Sequence, residues 1–436
     1  MVESVKENNF KQTEIGLIPE DWEVVRLGEV TKVVRGVSWR KTEANKEGKG
    51  IPVLTIPNVE KGKINFEFNY FLTKSVSRQK LLNLKDIIFV ASSGSIENVG
   101  RSAILKYLPF ERIAFASFLS VLRAETNKIV PEFLYFLINS RWTDFTKFVK
   151  RAADGKYNFQ LRDFERNALI PLPPLPEQRK IAKVLDKIQQ AIELQDRIIE
   201  QAKRLKKSLM QKLFTEGLYG EEQKKTKIGL IPKSWEVVRL GDDEILKETQ
   251  YGLSVRGKKE GKYPILRMNN LVEGLISIDD LQFVDLDEKT FRKFKLEKGD
   301  ILFNRTNSFE LVGKTSIFHL DGNFVFASYL IRLKLNSEII DPFFFNFYFN
   351  WDVTQLRLKG LASRGVSQAN ISATKLKSFL IPLPPLEEQK QIAHILSIVD
   401  RKIEVEQKRK QVLKELFKTM LHKLMSGEIR LKEVEV

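Results

Sequence analysis

Two long stretches of this chain carry nearly the same sequence. Ile15-Gly16-Leu17-Ile18-Pro19, then Trp22-Glu23-Val24-Val25-Arg26-Leu27-Gly28, returns as Ile228-Gly229-Leu230-Ile231-Pro232, then Trp235-Glu236-Val237-Val238-Arg239-Leu240-Gly241. The offset of about 213 residues is the size of a domain, not of a solenoid repeat. Both copies also close alike: Ile170-Pro171-Leu172-Pro173-Pro174-Leu175-Pro176-Glu177-Gln178 matches Ile381-Pro382-Leu383-Pro384-Pro385-Leu386-Glu387-Glu388-Gln389. Half of a 436-residue chain is long enough to bury a core of its own. The chain therefore has to fold as two copies of one domain plan.

Between opening and closure the apolar segments keep step. Asp86-Ile87-Ile88-Phe89 parallels Asp300-Ile301-Leu302-Phe303, and Phe115-Ala116-Ser117-Phe118-Leu119 parallels Phe326-Ala327-Ser328-Tyr329-Leu330. Short strands are predicted at Glu23 to Leu27, Val53 to Ile56, Asp86 to Ala91, Ser102 to Leu105 and Ile113 to Leu122, with helices at Pro131 to Lys150 and Pro342 to Leu358. Strands and helices without βαβ alternation predict an α+β class. The stretches Arg35 to Lys49 and Lys150 to Leu161 differ from their counterparts. A shared scaffold with divergent loops is what one fold presenting two binding surfaces requires.

After each closure the sequence runs for about 40 residues in a helical pattern. The first run extends from Pro176 to Glu216 and stops at Gly217; the second extends from Leu386 to Met425 and ends near Gly427. Proline at a helix start and glycine just past its end suit those boundaries. Apolar residues recur with a seven-residue rhythm, as in helices that pair along their length. The expected core is Ile181, Ile188 and Leu205 on the first helix and Ile392, Val399, Ile403 and Leu416 on the second. Gln195 breaks the seam at a core-type position and would fix register. At 1.5 Å per residue each helix is about 60 Å long, longer than a globular domain needs. The two are expected to pack as an antiparallel coiled coil; the alternative is that each covers its own domain's core. The organisation expected is a first globular domain over residues 1–174, a first helix over 175–216, a linker over 217–227, a second globular domain over 228–385, and a second helix with its tail over 386–436.

Charge narrows the partner. The formal net charge is +17, and an excess of this size favours a polyanion, because lysine and arginine contacts to phosphates release counterions. No apolar run approaches the roughly 18 residues of a membrane span. The first twelve residues are polar and do not read as a signal peptide. The absence of cysteine excludes disulfides and thiolate metal sites and fits a reducing cytoplasm. His319, His394 and His422 form no ligand-spaced pair, so no metal site is expected.

Catalytic signatures are missing. Gly313-Lys314-Thr315 resembles the end of a phosphate-binding loop, but the first glycine would fall at Ser308; Gly100-Arg101-Ser102 fails likewise at Ser95. More suggestive are polar loops beside the strands. Ser92-Ser93-Gly94-Ser95 corresponds loosely to Asn304-Arg305-Thr306-Asn307-Ser308, and Tyr157-Asn158-Phe159-Gln160 to Ser367-Gln368-Ala369-Asn370. Arginine, asparagine and glutamine read base edges bidentately in the major groove. The candidates are Ser92, Ser93, Asn158, Gln160, Asn304, Arg305, Asn307, Gln368 and Asn370, together with Arg35 at the start of a divergent stretch. Arg151, Lys156, Lys359 and Arg364 stand nearby as phosphate contacts. Ordinary turn chemistry favours the same serines and asparagines.

This arrangement resembles the specificity (S) subunit of type I restriction–modification enzymes. The residues that carry the resemblance are the closures at Ile170 to Gln178 and Ile381 to Gln389, the openings at Ile18 to Val24 and Ile231 to Val237, and Asp300 to Asn307. It covers essentially the whole chain twice, although Val90-Ala91-Ser92-Ser93 departs from Asn304-Arg305-Thr306-Asn307. The resemblance implies two target-recognition domains, each binding one part of a split sequence on double-stranded DNA. The helices would set the gap and dock methylation (M) subunits, two in number. Those partners would carry S-adenosylmethionine and methylate a flipped adenine. Restriction/motor (R) subunits would use ATP, and this chain would hold no cofactor and do no catalysis. Two other readings stand beside it. A self-sufficient modifying enzyme needs an Asn/Asp-Pro-Pro-Tyr/Phe motif, to which Asp341-Pro342-Phe343-Phe344 is the nearest approach. A helix-mediated assembly scaffold would bind nucleic acid only non-specifically.

Overall fold

A computed structural model of the chain describes residues 10–140, 145–365 and 368–431. The chain forms two compact units, residues 1–195 with 409–436, and residues 196–408. Each unit therefore takes one segment from each long helix, Leu175–Glu216 and Leu386–Met425.

The duplicated motifs at the two ends of each domain meet in space. In the first unit Trp22 is fully buried, and its indole Nε1 donates to the Glu177 carboxylate at 3.1 Å. In the second, Trp235 Nε1 donates to Glu388 at 2.9 Å. The following glutamines close the lock. Gln178 accepts from the Val130 amide and donates to the Lys128 and Pro173 carbonyls. Gln389 repeats this with Asp341, Ile339 and Pro384. A buried indole N–H and a buried amide both need partners, so these residue types recur together. Around the lock, strand Glu23–Arg26 pairs antiparallel with Leu169–Leu172, and Glu236–Arg239 pairs with Leu380–Leu383.

Three further sheets recur in the two units. A four-stranded antiparallel sheet has the order Ser102–Ile104, Ile87–Val90, Leu119–Ala124, Thr31–Arg35 in the first unit. Its counterpart is Thr315–Ile317, Ile301–Asn304, Leu330–Leu335, Leu246–Tyr251. The central strands are buried on both faces, so they read as unbroken apolar runs without alternation. A second sheet contains the parallel pair Ile51–Leu54 with Ala114–Phe115, matched by Tyr263–Leu266 with Val325–Phe326. The third joins Ser92–Ser93, Tyr157–Phe159 and Val149–Arg151, matched by Thr306–Asn307, Ala369–Asn370 and Ser363–Arg364. Strands and helices are mixed without βαβ alternation, the α+β class expected from the sequence.

Several elements are shorter than the pattern predicted. Ile113 to Leu122 is two strands, Ala114–Phe115 and Leu119–Ala124, separated by a turn closed by Leu119 N to Ala116 O at 2.8 Å. The helix expected to Lys150 spans Pro131–Ile138; Trp142 lies outside the described residues. Pro342 to Leu358 is two helices, Pro342–Asn350 and Asp352–Gly360, which break at Trp351 in an extended conformation.

In each unit the two long-helix segments run in opposite directions. Ile181 and Leu185, near the start of the first helix, share the first unit's core with Leu424 and Met425, at the end of the second. Met210, Leu213 and Phe214, near the end of the first, share the second unit's core with Ile392, Ala393 and Leu396. Ile181, Gln195, Ile392 and Ile403 are buried, and Ile188 and Val399 half-buried, in keeping with the expected seam. Leu205 and Leu416 are not in it; they are 53% and 45% exposed. The inward position on the first helix belongs to Lys206, one residue and about 100° further round. Its ammonium pairs with Asp400 at 2.6 Å and lies over the Phe347 ring. On the second helix Phe417 takes the inward place and meets Phe136. A polar seam continues at Glu406, buried and paired with Lys402. Polar groups at seam positions fix register at some cost in stability.

Candidate nucleic-acid interface

The strands of the third sheet carry half of the candidate residues: Ser92, Ser93, Arg151, Asn158, Asn307, Arg364 and Asn370. In the second unit, strand Ile301–Asn304 passes through Arg305 into Thr306–Asn307. Arg305 is fixed by its backbone: its N–H donates to Tyr329 O at 3.0 Å, and its carbonyl accepts from Ile371 N at 2.9 Å. Its guanidinium lies 4.8 Å from the Tyr251 ring centroid. The Tyr251 hydroxyl in turn accepts from the Ala373 amide. The guanidinium's own bonds are long, 3.5 Å to Ser328 O and 3.4 Å to Asn370 Oδ1, and its Nε has no partner among the described residues. A ring-stacked guanidinium with weakly engaged donors is preorganised for a planar acceptor pair. Asn370 also donates to Thr306 Oγ1 at 2.7 Å.

In the first unit Asn158 occupies the place of Asn370, two residues from the loose alignment of the sequence. Strand pairing sets Asn158 opposite Ser92 and Asn370 opposite Thr306. Ser92 Oγ donates to Asn158 Oδ1 at 2.6 Å. The arginine is differently sourced. Ala91 holds the place of Arg305, while Arg35 ends the strand Thr31–Arg35 where Tyr251 ends Leu246–Tyr251. Arg35 is exposed. One unit thus has alanine and arginine where the other has arginine and tyrosine.

Other candidates fall into place unevenly. Arg151 is exposed and lies 5.8 Å from the Tyr157 ring. Lys156 is exposed but pairs with Asp154 at 2.9 Å, and that hydrogen bond holds the Asp154 carboxyl below its usual range. Gln160 is half-buried and donates to Asn158 O at 3.3 Å. Gln368 is exposed beside the strand Ala369–Asn370. Arg364 lies in strand Ser363–Arg364; Ser367 falls outside the described residues. Lys359 stands in the last turn of helix Asp352–Gly360, four residues before the strand Ser363–Arg364. Asn307 caps its own turn through Ser308 N.

Two candidates do not face outward. Asn304 is fully buried, because its strand is covered on both faces; its amide donates only a 3.4 Å bond to Leu311 O. Ser93 is buried and accepts from Ser95 N, which is turn chemistry.

Sequence reading missed three features of this surface. Tyr251 was not singled out, since only the fold brings it to Arg305. A loop repeats as Gly36-Val37-Ser38-Trp39-Arg40 and Gly252-Leu253-Ser254-Val255-Arg256 inside a stretch that looked divergent. A Cβ on Gly36 would lie 2.1 Å from Ala116 O, and one on Gly252 2.3 Å from Ala327 O, so both positions require glycine. Matching short motifs around these glycines would have found the repeat. The third feature is the pair Phe118 and Tyr329, both 47% exposed between buried apolar residues, Ala116 and Leu119 in one unit and Ala327 and Leu330 in the other.

Comparison with known proteins gives a consistent picture. Residues 19–204 and 232–415 each match the family described as the type I restriction modification DNA specificity domain. The chain is 32% identical over 448 residues to the putative type I restriction enzyme MjaX specificity subunit of Methanocaldococcus jannaschii, covering 99% of both chains. It is 28% identical over 384 residues to the type I restriction enzyme EcoKI specificity subunit of Escherichia coli, covering 86% of this chain and 82% of that one. Among solved structures, it resembles the type-I restriction-modification system S subunit from M. genitalium with a TM-score of 0.58 at 17% identity, covering 97% and 99% of the two chains. That last likeness is one of fold.

Proposed function

The chain belongs to the type I restriction modification DNA specificity family, and on that premise we propose that it is the non-catalytic subunit that reads DNA sequence for a restriction–modification complex. One observation carries the finer reading. The two units repeat the same sheets but arm the third sheet and the end of the four-stranded sheet's outer strand differently, with Arg305, Asn370 and Tyr251 in one and Ser92, Asn158 and Arg35 in the other. Like scaffolds with unlike side chains suit the reading of two unlike half-sites, so that a duplicated protein recognises an asymmetric split sequence. Residues 1–174 and 228–385 act as the two recognition domains. Arg151, Lys156 and the general excess of cationic side chains hold phosphates and fix register on the duplex.

The long helices fix the unspecific gap between the half-sites and receive methylation subunits, one for each copy of the plan. Those subunits bring S-adenosylmethionine, and restriction subunits bring ATP; this chain supplies position and sequence discrimination, in the cytoplasm. The test is to map methylated adenines in DNA from cells that carry this chain with its partner subunits. A bipartite motif with a constant gap is expected; a continuous motif, or none that depends on this chain, refutes the reading.

A further inference from the structure

Phe118 and Tyr329 occupy equivalent places in the two units, each the third residue of a four-residue turn, Ala116 to Leu119 and Ala327 to Leu330. Each turn is pinned from several sides. Ser117 N donates to Val37 O and Ser328 N to Leu253 O, both at 2.8 Å. The Phe118 carbonyl accepts from Ala91 N and Ser92 N at 2.8 and 3.1 Å, and the Tyr329 carbonyl accepts from Arg305 N at 3.0 Å. Flanking residues are buried: Phe115, Ala116 and Leu119 in one unit, Phe326, Ala327 and Leu330 in the other. The aromatic rings stand in solvent, Phe118 with the exposed Ser117 before it and Tyr329 with the half-buried Ser328.

A single exposed apolar side chain is ordinary. This pair is not single. Among the described residues it is the one exposed aromatic position that the duplication repeats: Tyr251 corresponds to Arg35 of the other copy and Phe343 to Glu132. A ring displayed on a rigid turn, backbone-bonded to the strand that carries Ser92 in one unit and Arg305 in the other, lies beside both candidate reading sites. It is also beside a charged group in each unit: Ser120, two residues after Phe118, is paired with Arg35, and Ser328, one before Tyr329, accepts from Arg305. Polar side chains next to a rigid aromatic are the combination by which proteins press rings against base steps or thymine methyls while neighbouring groups read edges.

We propose that Phe118 and Tyr329 are nucleobase-contacting residues, each seated against a base step in the half-site that its own unit reads. The inference rests on the DNA-reading function proposed above and adds to it a hydrophobic, base-directed contact common to both units. Ring–base contacts of this kind are worth roughly ten- to a hundredfold in affinity each.

The test uses the full-length chain and a duplex that it selects from a randomised pool. Phe118→Ala and Tyr329→Ala are each expected to weaken binding to that duplex by about ten- to a hundredfold. Each is also expected to lose discrimination against a duplex scrambled in one half-site only, a different half for each variant. Phe118→Tyr and Tyr329→Phe are expected to retain both properties, and all four variants to melt like the parent. If the parent chain selects no sequence, the DNA-reading function itself fails, and this inference with it. If the parent selects a sequence and the alanine variants bind and discriminate as it does, the inference alone is overturned. Equal loss of both half-sites from one substitution would mark a general folding effect and overturn it as well.

Discussion

Replacing Arg430 with alanine should destabilise the first unit far more than a surface charge would. The Arg430 side chain is 10% exposed and forms two forked pairs. Its Nε and Nη2 donate to Glu177 at 2.8 Å, and its Nη1 and Nη2 donate to Asp21 at 2.9 Å. The Glu177 side chain is itself 3% exposed. Without the arginine this carboxylate keeps only Trp22 Nε1 at 3.1 Å and a marginal bond from Leu431 N at 3.4 Å. Stranding one partner of a buried pair costs about 3–5 kcal/mol. The second unit shows what limits the damage, because its equivalent Glu388 is accommodated by two neutral donors, Trp235 Nε1 at 2.9 Å and Leu218 N at 2.8 Å. We therefore expect a loss near the low end, about 3 kcal/mol, or roughly 6–12 °C in the melting of a unit this size. Calorimetry of the full chain should show one transition lowered and the other unmoved. Adding Glu177→Gln should recover part of the loss, since an amide needs no counter-charge. A first-unit transition lowered by under 1 kcal/mol, or no recovery in the double variant, would refute the reasoning.

Arg305→Lys keeps the charge but loses the planar donor fork over Tyr251; discrimination at one base pair should fall by about 1–3 kcal/mol, measured against single-substituted duplexes, while the other half-site is read unchanged. Burial pushes the Asp300 carboxyl above the ordinary aspartate value, against the lowering effect of the Glu297 amide and of Arg332. A raised folded value means that the protonated form favours folding, an advantage complete below 3.8 and lost as pH rises through the folded value. Asp300→Asn should accordingly gain stability relative to the parent as pH is raised from 4 to 7 in denaturant titrations; a constant difference would show that the charge is not the cause. Inserting residues between Ile188 and Leu209 should change the gap in the methylated motif and spare both half-sites; an unchanged gap would show that the helices do not set it. Exchanging Asp21 to Leu169 for another such domain should alter one half-site in the same mapping assay, and a change in both would refute modular reading.

Much of the frame was legible because its chemistry is local and repeated. The Pro-rich closures announced the long helices, and the central strands announced themselves as apolar runs. What those closures do was less visible, since Trp22 meets Glu177 only through the fold. The seam of the helices went astray at Leu205 and Leu416, where a lysine and a phenylalanine one residue on face inward, and hydrophobicity alone does not rank Lys206 above Leu205. Asn304 looked like a surface residue because its neighbours are polar, yet the same strand is covered on both faces. Phe118 and Tyr329 were hidden the opposite way, in motifs so apolar that they read as continuous strand. The stacking of Arg305 on Tyr251 joins two strands far apart in sequence and leaves no local signature.

Gly217 and Gly427 both adopt the left-handed conformation that ends a helix. Gly217 abuts Pro232 and Glu388, in the copy that follows it, whereas Gly427 abuts Pro19 and Trp22, at the far beginning of the chain. The first unit is thus completed by Leu424, Met425 and Leu431, supplied from the opposite end of the sequence. A half-length chain ending after its helix would lack that contribution to its own core, but it would carry the equivalent segment at its own end. Two such half-chains, each lending its helix end to the other's tryptophan, would complete both cores as a homodimer, with two identical surfaces in place of two unlike ones.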